Sequence, residues 1–164
     1  MATWSVIQEN WTPTAVADAA NFTNSGYIAL QGGSSTQRIN VYEVKIGGLA
    51  GSSAPAQMTL SRDSTIGASS LSGGLLSADD PSTAALAAPP VVFSTSTTKP
   101  QRSSTLHLRA LAFNAFGGLV RLMLNPDKPI VLLGNTASFG ELSVSHLANG
   151  TPGLCDTHII IEPL

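Results

Sequence analysis

Three histidines, one cysteine and a few carboxylates are the side chains here whose chemistry could go beyond packing. His107, His146 and His158, with Glu141 or Glu162, have the imidazole and carboxylate groups that bind zinc, iron or manganese. All five fall in stretches that read as strands, where alternate residues could line the inside of a barrel. Metal sites of that kind usually draw two ligands from one H-x-H pair, and the chain has no H-x-H. Ordinary strand histidines are therefore expected, with no metal and no cofactor. Cys155 lies in the turn-like TPGLCD, beside Asp156 and close to His158. Residues at i, i+1 and i+3 of a turn entering a strand seldom converge, whereas a nucleophile and its base normally meet through the fold. No G-x-S-x-G is present. The expectation is no catalytic residue and no enzyme.

The other candidates also have simpler explanations. Asp79 and Asp80 could hold a cation, but a helix cap accounts for them. Gly32-Gly33, Gly47-Gly48, Gly73-Gly74 and Gly117-Gly118 would suit a phosphate loop, yet no G-x-x-x-x-G-K-[ST] follows, so turns are expected. Trp4, Trp11 and Tyr27 could stack on a sugar. They all lie near the start of the chain, where anchoring that segment to the core or to a neighbour is the better reading. Asn10, Asn21 and Asn149 match the glycosylation acceptor pattern. The start MATWSVIQEN lacks the basic and apolar regions of a signal peptide, so these matches are read as coincidence in a chain made in the cytoplasm.

Composition narrows the class. The 164 residues suit one domain, 1–164, able to bury about two thirds of its unfolded surface. Charged residues make up 11 %, against about 25 % in an ordinary globular domain. Eight Lys and Arg and a net charge of −2 cannot build the phosphate-contacting surface that nucleic acid needs. Apolar runs such as 130–133 are far short of the ~20 residues that span a bilayer, so no membrane partner is expected. With one cysteine, no intrachain disulfide can form. Weak surface charge favours association, so the chain reads as a subunit that buries surface against copies of itself.

The elements that must position these groups are strands. The centre is 36–63, where two β-rich runs flank a Gly/Ser/Ala/Pro connection and predict a β-hairpin. Period 2 puts Tyr42, Val44 and Ile46 on the core face, with Ile39, Val41, Glu43 and Lys45 opposite. Met58 and Leu60 alternate with Gln57, Thr59 and Ser61. Residues 4–9 and 27–30 read as strands, and 14–20 as at most one helical turn. The stretch 63–104 is rich in Ser, Thr, Ala, Gly and Pro, too long for a structureless loop. Leu71, Leu75, Leu76, Leu86 and Phe93 make it an ordered arm, expected to lie on a neighbouring subunit. Within it Asp80-Pro81 and Pro89-Pro90 predict a short helix, followed by a strand at 91–94. Strands at 105–113, 119–124, 130–133, 141–147 and 157–162 follow, with Leu142, Val144 and His146 on one face. The fold class is all-β: an antiparallel β-sandwich, jelly-roll-like, with a long arm and at most a short helix.

The stretches PAQMTLSRDST (55–65), AALAAPPVVF (84–93), TTKPQRSSTLHLRALAFNAFGG (97–118) and DTHIIIEPL (156–164) resemble small structural proteins of tailed bacteriophages and prophages. In architecture the chain is similar to the β-sandwich decoration, or cement, proteins of assembled heads. The resemblance implies a non-enzymatic virion protein, either a capsid decoration or a minor head protein. Its partners would be copies of itself, as a trimer, and major capsid protein subunits. It carries over no site residue. The alternatives are a sugar- or receptor-binding fibre or tail-tip module using Trp4, Trp11 and Tyr27, and a cupin-like metal enzyme using the three histidines.

Overall fold

The computed structural model describes residues 2–22, 26–68, 75–94, 97–135 and 139–164. The strands are β1 (Trp4–Trp11), β2 (Ala15–Val16), β3 (Ile28–Gln31), β4 (Arg38–Gly48), β5 (Pro55–Thr65), β6 (Leu75–Ala78), β7 (Val91–Phe93), β8 (Gln101–Asn114), β9 (Leu119–Met123), β10 (Ile130–Leu133), β11 (Glu141–Gly150) and β12 (Cys155–Pro163). No described residue is helical.

The strands form two sheets. The first runs β10-β4-β12-β1-β6, with β9 also on β4; the second runs β7-β3-β11-β5-β8, with β2 on β11. Every pairing is antiparallel except the two-residue β2–β11 ladder. The chain passes from β1 to β3 in the second sheet, to β4 in the first, and to β5 and β8 in the second. It then returns to β9 and β10, crosses to β11 and finishes on β12 in the first sheet. With β12 between β1 and β4, and β11 between β3 and β5, this is the double Greek key of a jelly roll. The sandwich reading therefore holds. Between the sheets Val6, Val41, Val44, Ile46, Leu132, Ile159 and Ile161 meet Ile28, Leu30, Met58, Leu60, Leu142 and Val144 in one core.

The central hairpin is a correction. β4 and β5 do not pair; they lie in opposite sheets. Alternation reports that a strand has one buried face, and it reads the same for strands paired side by side or stacked across a core. The 49–54 link crosses the sandwich, anchored by Leu49 N–H to Leu154 O at 2.7 Å and Ala50 N–H to Ala115 O at 2.9 Å. A Cβ at Gly48 would stand 2.2 Å from Ala115 O, so only glycine lets the two backbones approach this closely.

The face assignment on β4 is half right. Val44 and Ile46 are buried, but so are Ile39 and Val41, while Tyr42 is half-buried. Opposite β12 the register slips between Ile160, which faces Glu43, and Ile161, which faces Val41. That bulge at Tyr42 inverts the parity, so both halves of β4 bury their apolar residues. The Tyr42 hydroxyl donates to Glu162 at 2.5 Å, beside Asn40.

The predicted helix after Asp80 is absent. Asp80 Oδ1 accepts from Ser82 N–H at 2.8 Å and Ser82 Oγ at 2.7 Å, and Thr83 N–H reaches Asp80 O. The capping residue therefore closes a turn instead. The short Ala-rich run that follows cannot offset helix nucleation, and Leu86 packs on the core without it. Residues 15–16 likewise join a sheet.

The described part of 63–104 lies on its own domain. Residues 63–65 finish β5, Gln101 opens β8, β6 extends the first sheet beyond β1, and β7 extends the second beyond β3. Leu76 packs on the core, and Leu75 is 64 % exposed. Leu71 and Gly73-Gly74 fall outside the described residues, as does the side chain of Phe93.

Candidate functional site

Polar chemistry in this fold gathers on the outer side of the second sheet. There β5 and β11 present Thr59, Ser61, Asp63, Glu141, Ser143 and Ser145, all buried. A small cluster of Val16, Phe22, Tyr27 and Ala29 covers the same side of the sheet. Small hydroxyl residues let that cover come close. Thr59 and Ser145, and Ser61 and Ser143, face each other across the β5–β11 ladder.

Arg102 pins the cover down. Its side chain is wholly buried; Nε and Nη2 donate to Ser145 Oγ at 3.1 and 2.8 Å, Nη2 also to His146 O at 3.0 Å, and Nη1 to Val16 O at 3.2 Å. Its guanidinium stands 5.3 Å over the Phe22 ring, a cation–π contact. Asp18 lies 3.9 Å from Nη1 and 2.8 Å from His107 Nε2. Burial lowers the Arg102 pKa, and Asp18 and Asp63 act the other way. It remains a cation.

At one end of this layer Asp63 and Glu141 form a buried carboxyl pair. Asp63 Oδ1 accepts from Ser143 Oγ at 2.7 Å. Glu141 Oε2 accepts from Gly67 N–H at 3.0 Å and from Gln31 Nε2, which also reaches Gly67 O at 2.8 Å. Among the described residues no group other than the partner carboxyl is placed to donate to Asp63 Oδ2 or Glu141 Oε1. Two carboxyl oxygens bond each other only if one carries a proton. Burial, the hydrogen bond to Glu141 and Glu141's charge hold Asp63 well above the ordinary carboxyl range. Burial also raises Glu141, against the bonds from Asp63, Gln31 and Gly67. The pair therefore titrates as a unit, and its two carboxyls can bond each other only while they share one proton.

The histidines do not converge. His107 pairs with Asp18, His146 points into the core opposite Met58, and His158 lies on the outer face of the first sheet. Glu141 is tied up with Asp63, and Glu162 with Tyr42 and Asn40. Among the described residues no three His, Cys, Asp or Glu group to hold a metal ion. His158 does meet a serine and an aspartate: its Nε2 is 3.1 Å from Ser5 Oγ, which donates to Asp79 Oδ1 at 2.6 Å. In a nucleophilic triad the histidine takes the serine proton and the aspartate holds the histidine. Here the aspartate holds the serine proton, leaving His158 to donate.

Cys155 is buried, with its thiol on Gly153 O at 3.2 Å and its pKa raised to about 11, by burial first and Asp156 second. Asp156 and His158 take the other side of the strand. The thiol should stay unlabelled by a thiol reagent at neutral pH and react as the protein unfolds; labelling as fast as free cysteine would contradict the burial. Trp4, Trp11 and Tyr27 are 8, 5 and 1 % exposed, and Trp11 Nε1 donates to Thr157 Oγ1, so none offers a ring to a sugar. Gly32-Gly33 and Gly117-Gly118 lie in irregular chain or turns, but Gly47-Gly48 ends β4, a correction to the turn reading.

One groove opens on the outer face of the first sheet, with a volume of about 280 Å³. Ile7, Glu9, Lys45, Asp156 and His158 line it over Gly47, whose missing side chain leaves open space. A bulge in β1 shapes its rim: Asn10 adopts φ 52°, and its N–H donates to Asp156 Oδ1 at 2.8 Å.

Sequence reading missed Arg102 and the Asp63–Glu141 pair. Their signal is a strand whose polar face runs Gln57, Thr59, Ser61 and then a single acidic residue, Asp63, with no charge before it, the pattern of a face that is covered. No protein-family model matches the chain, and no curated protein matches it.

Proposed function

We propose that this chain is a non-enzymatic structural subunit of a virus particle, a capsid decoration or minor head protein of tailed-phage type, made in the host cytoplasm. Its partners are copies of itself, assembled as a trimer, and major capsid protein subunits. The observation that carries this reading is a strip of exposed apolar side chains at one edge of the first sheet. β9 and β10 follow each other along the same side of β4. Leu119, Met123 and Leu133 are 61, 70 and 63 % exposed there, while Leu122 and Leu132 of the same strands face the core. Among the described residues no strand pairs with the far side of β9 or β10. Large apolar groups exposed together mark a surface that binds another. The one charge pair in the strip is internally neutralised, with Arg121 bidentate on Glu43 at 2.7 and 2.9 Å. Covering the strip therefore costs little charge desolvation.

The rival readings lose their residues. The rings of the sugar-binding alternative are buried, and the histidines of the cupin-like alternative lie in three separate places. The test is copy number and oligomeric state. Quantitative mass spectrometry of purified particles should find hundreds of copies, and light scattering should find a trimer. Leu119→Asp with Met123→Asp should weaken the oligomer at least tenfold, about 1.4 kcal/mol, without loss of fold by circular dichroism. A concentrated wild-type monomer, together with absence from particles, rejects the proposal.

A further inference from the structure

We propose that the Asp63–Glu141 pair is a proton-held latch that closes the strap at residues 66–68 over one end of the second sheet and releases it in alkaline solution. The inference goes beyond the assembly reading and stands without it.

The geometry is that of a clasp. Glu141 Oε2 holds the Gly67 amide, Gln31 Nε2 bridges the same oxygen to Gly67 O, and the strap leaves directly from the end of β5 that carries Asp63. Asp63 is itself fixed by Ser143 Oγ, and its own carbonyl accepts from Phe139 N–H at 2.8 Å. Four pieces of chain (β3, β5, β11 and the strap) therefore meet at one shared proton. With it, the pair carries one negative charge. Without it, two like charges face each other in a site closed to water, and one must move. β5 and β11 are held by long ladders, whereas the strap is held at Gly67 and by the short bridge of Ala68 to Thr98, with Ala68 N–H on Thr98 O at 3.1 Å, so the strap is the piece that gives way first.

The surroundings leave the proton as the control. From β8 Arg102 is the other charge acting on Asp63, and its hydrogen bonds go to Ser145, His146 O and Val16 O. From β5 Arg62 reaches away, to Val131 O and to Phe139 O at 3.2 Å. On β11 the neighbouring groups are Ser143 and Ser145, with His146 on the opposite face; β3 offers Gln31, and the strap Ile66-Gly67-Ala68 has no ionisable side chain. The segments 69–74 and 136–138, which continue from the strap and precede Phe139, contain no ionisable side chain either.

The test is hydrogen exchange at the Gly67 amide, corrected for the intrinsic rate, from about pH 6 to about pH 10, with ¹³C carboxyl shifts of Asp63 and Glu141 over the same range. Where ordinary carboxyls have already lost their protons, one of the two should still carry one. Once it leaves, protection at Gly67 should fall by about tenfold per pH unit. In Asp63→Asn the amide donates to Glu141 in the proton's place, and Gly67 protection should be flat with pH. Should that variant fail to fold, Glu141→Gln makes the pair equally unable to reach two charges and should be flat as well. Both carboxyls ionising in the ordinary carboxyl range, wild-type protection independent of pH, or a variant that keeps the wild-type profile would each overturn the latch.

Discussion

Arg102→Ala should cost about 3–5 kcal/mol of folding stability, lowering the melting temperature by roughly 10 °C. The guanidinium is wholly buried and is the donor to Val16 O, His146 O and Ser145 Oγ, with Phe22 on its face. Alanine removes the guanidinium donors from all three acceptors and opens a cavity beneath the cover formed by Val16, Phe22 and Tyr27. Arg102→Lys keeps the charge but loses the planar fork that spans several acceptors, so it should recover only part of the loss. Urea unfolding followed by tryptophan fluorescence measures both. A cost under about 1 kcal/mol for alanine would mean that the cover is held by its apolar contacts alone.

His146→Leu should stabilise the protein by about 1–3 kcal/mol at neutral pH, and by more in acid. His146 is fully buried, and neither ring nitrogen finds a partner among the described residues. Burial, helped by the positive charge of Arg102, lowers its pKa. The unfolded chain therefore takes up a proton as the pH falls through about 6.5, while the folded chain resists it, so stability declines from there down to the folded value. Leucine fills similar space and does not titrate. The carboxyl pair acts on the other limb: its folded pKa values are raised, so the unfolded chain gives up protons from about pH 4 while the folded one keeps them. That contribution is present in acid and is lost as the pH climbs through the folded values. Urea midpoints at about pH 5 and about pH 8 separate the two effects. A leucine variant no more stable than wild type at about pH 5 would show that His146 carries no burden there.

What could be read from the chain in advance follows from what alternation encodes. It located nearly every long strand and grouped Met58 with Leu60, and Leu142 with Val144 and His146, on single faces that turn out to face the core, because one buried face imposes period 2 on any strand. It failed where an extra residue enters. At Tyr42 the parity flips, and on β8 both Leu108 and Leu111 pack on the core, because the register against β5 slips between Leu60 and Ser61. Pairing partners were hidden as well, since β4 and β5 stack rather than pair and local sequence does not report distance across a core. The polar layer went unseen for a related reason. A Ser/Thr face reads as solvent-facing until something covers it, and Phe22, Tyr27 and Arg102 lie far from Ser61 and Ser143 in sequence.

The place of β12 in the first sheet has a consequence for how the chain is made. Synthesis runs from β1 toward β12, yet β12 is the strand that joins β1 to β4. Until the ribosome releases residues 155–163, the inner edges of β1 and β4 have no partner, and Val6, Val41, Val44 and Ile46 lack Ile159 and Ile161 beside them. A nascent chain cannot bank this fold piece by piece. It must wait, with open strand edges that other nascent chains can pair with, and then close through contacts between distant residues, on the millisecond-to-second scale of such topologies. Yield in a cell then depends on how crowded the unfinished chains are as much as on how stable the finished one is.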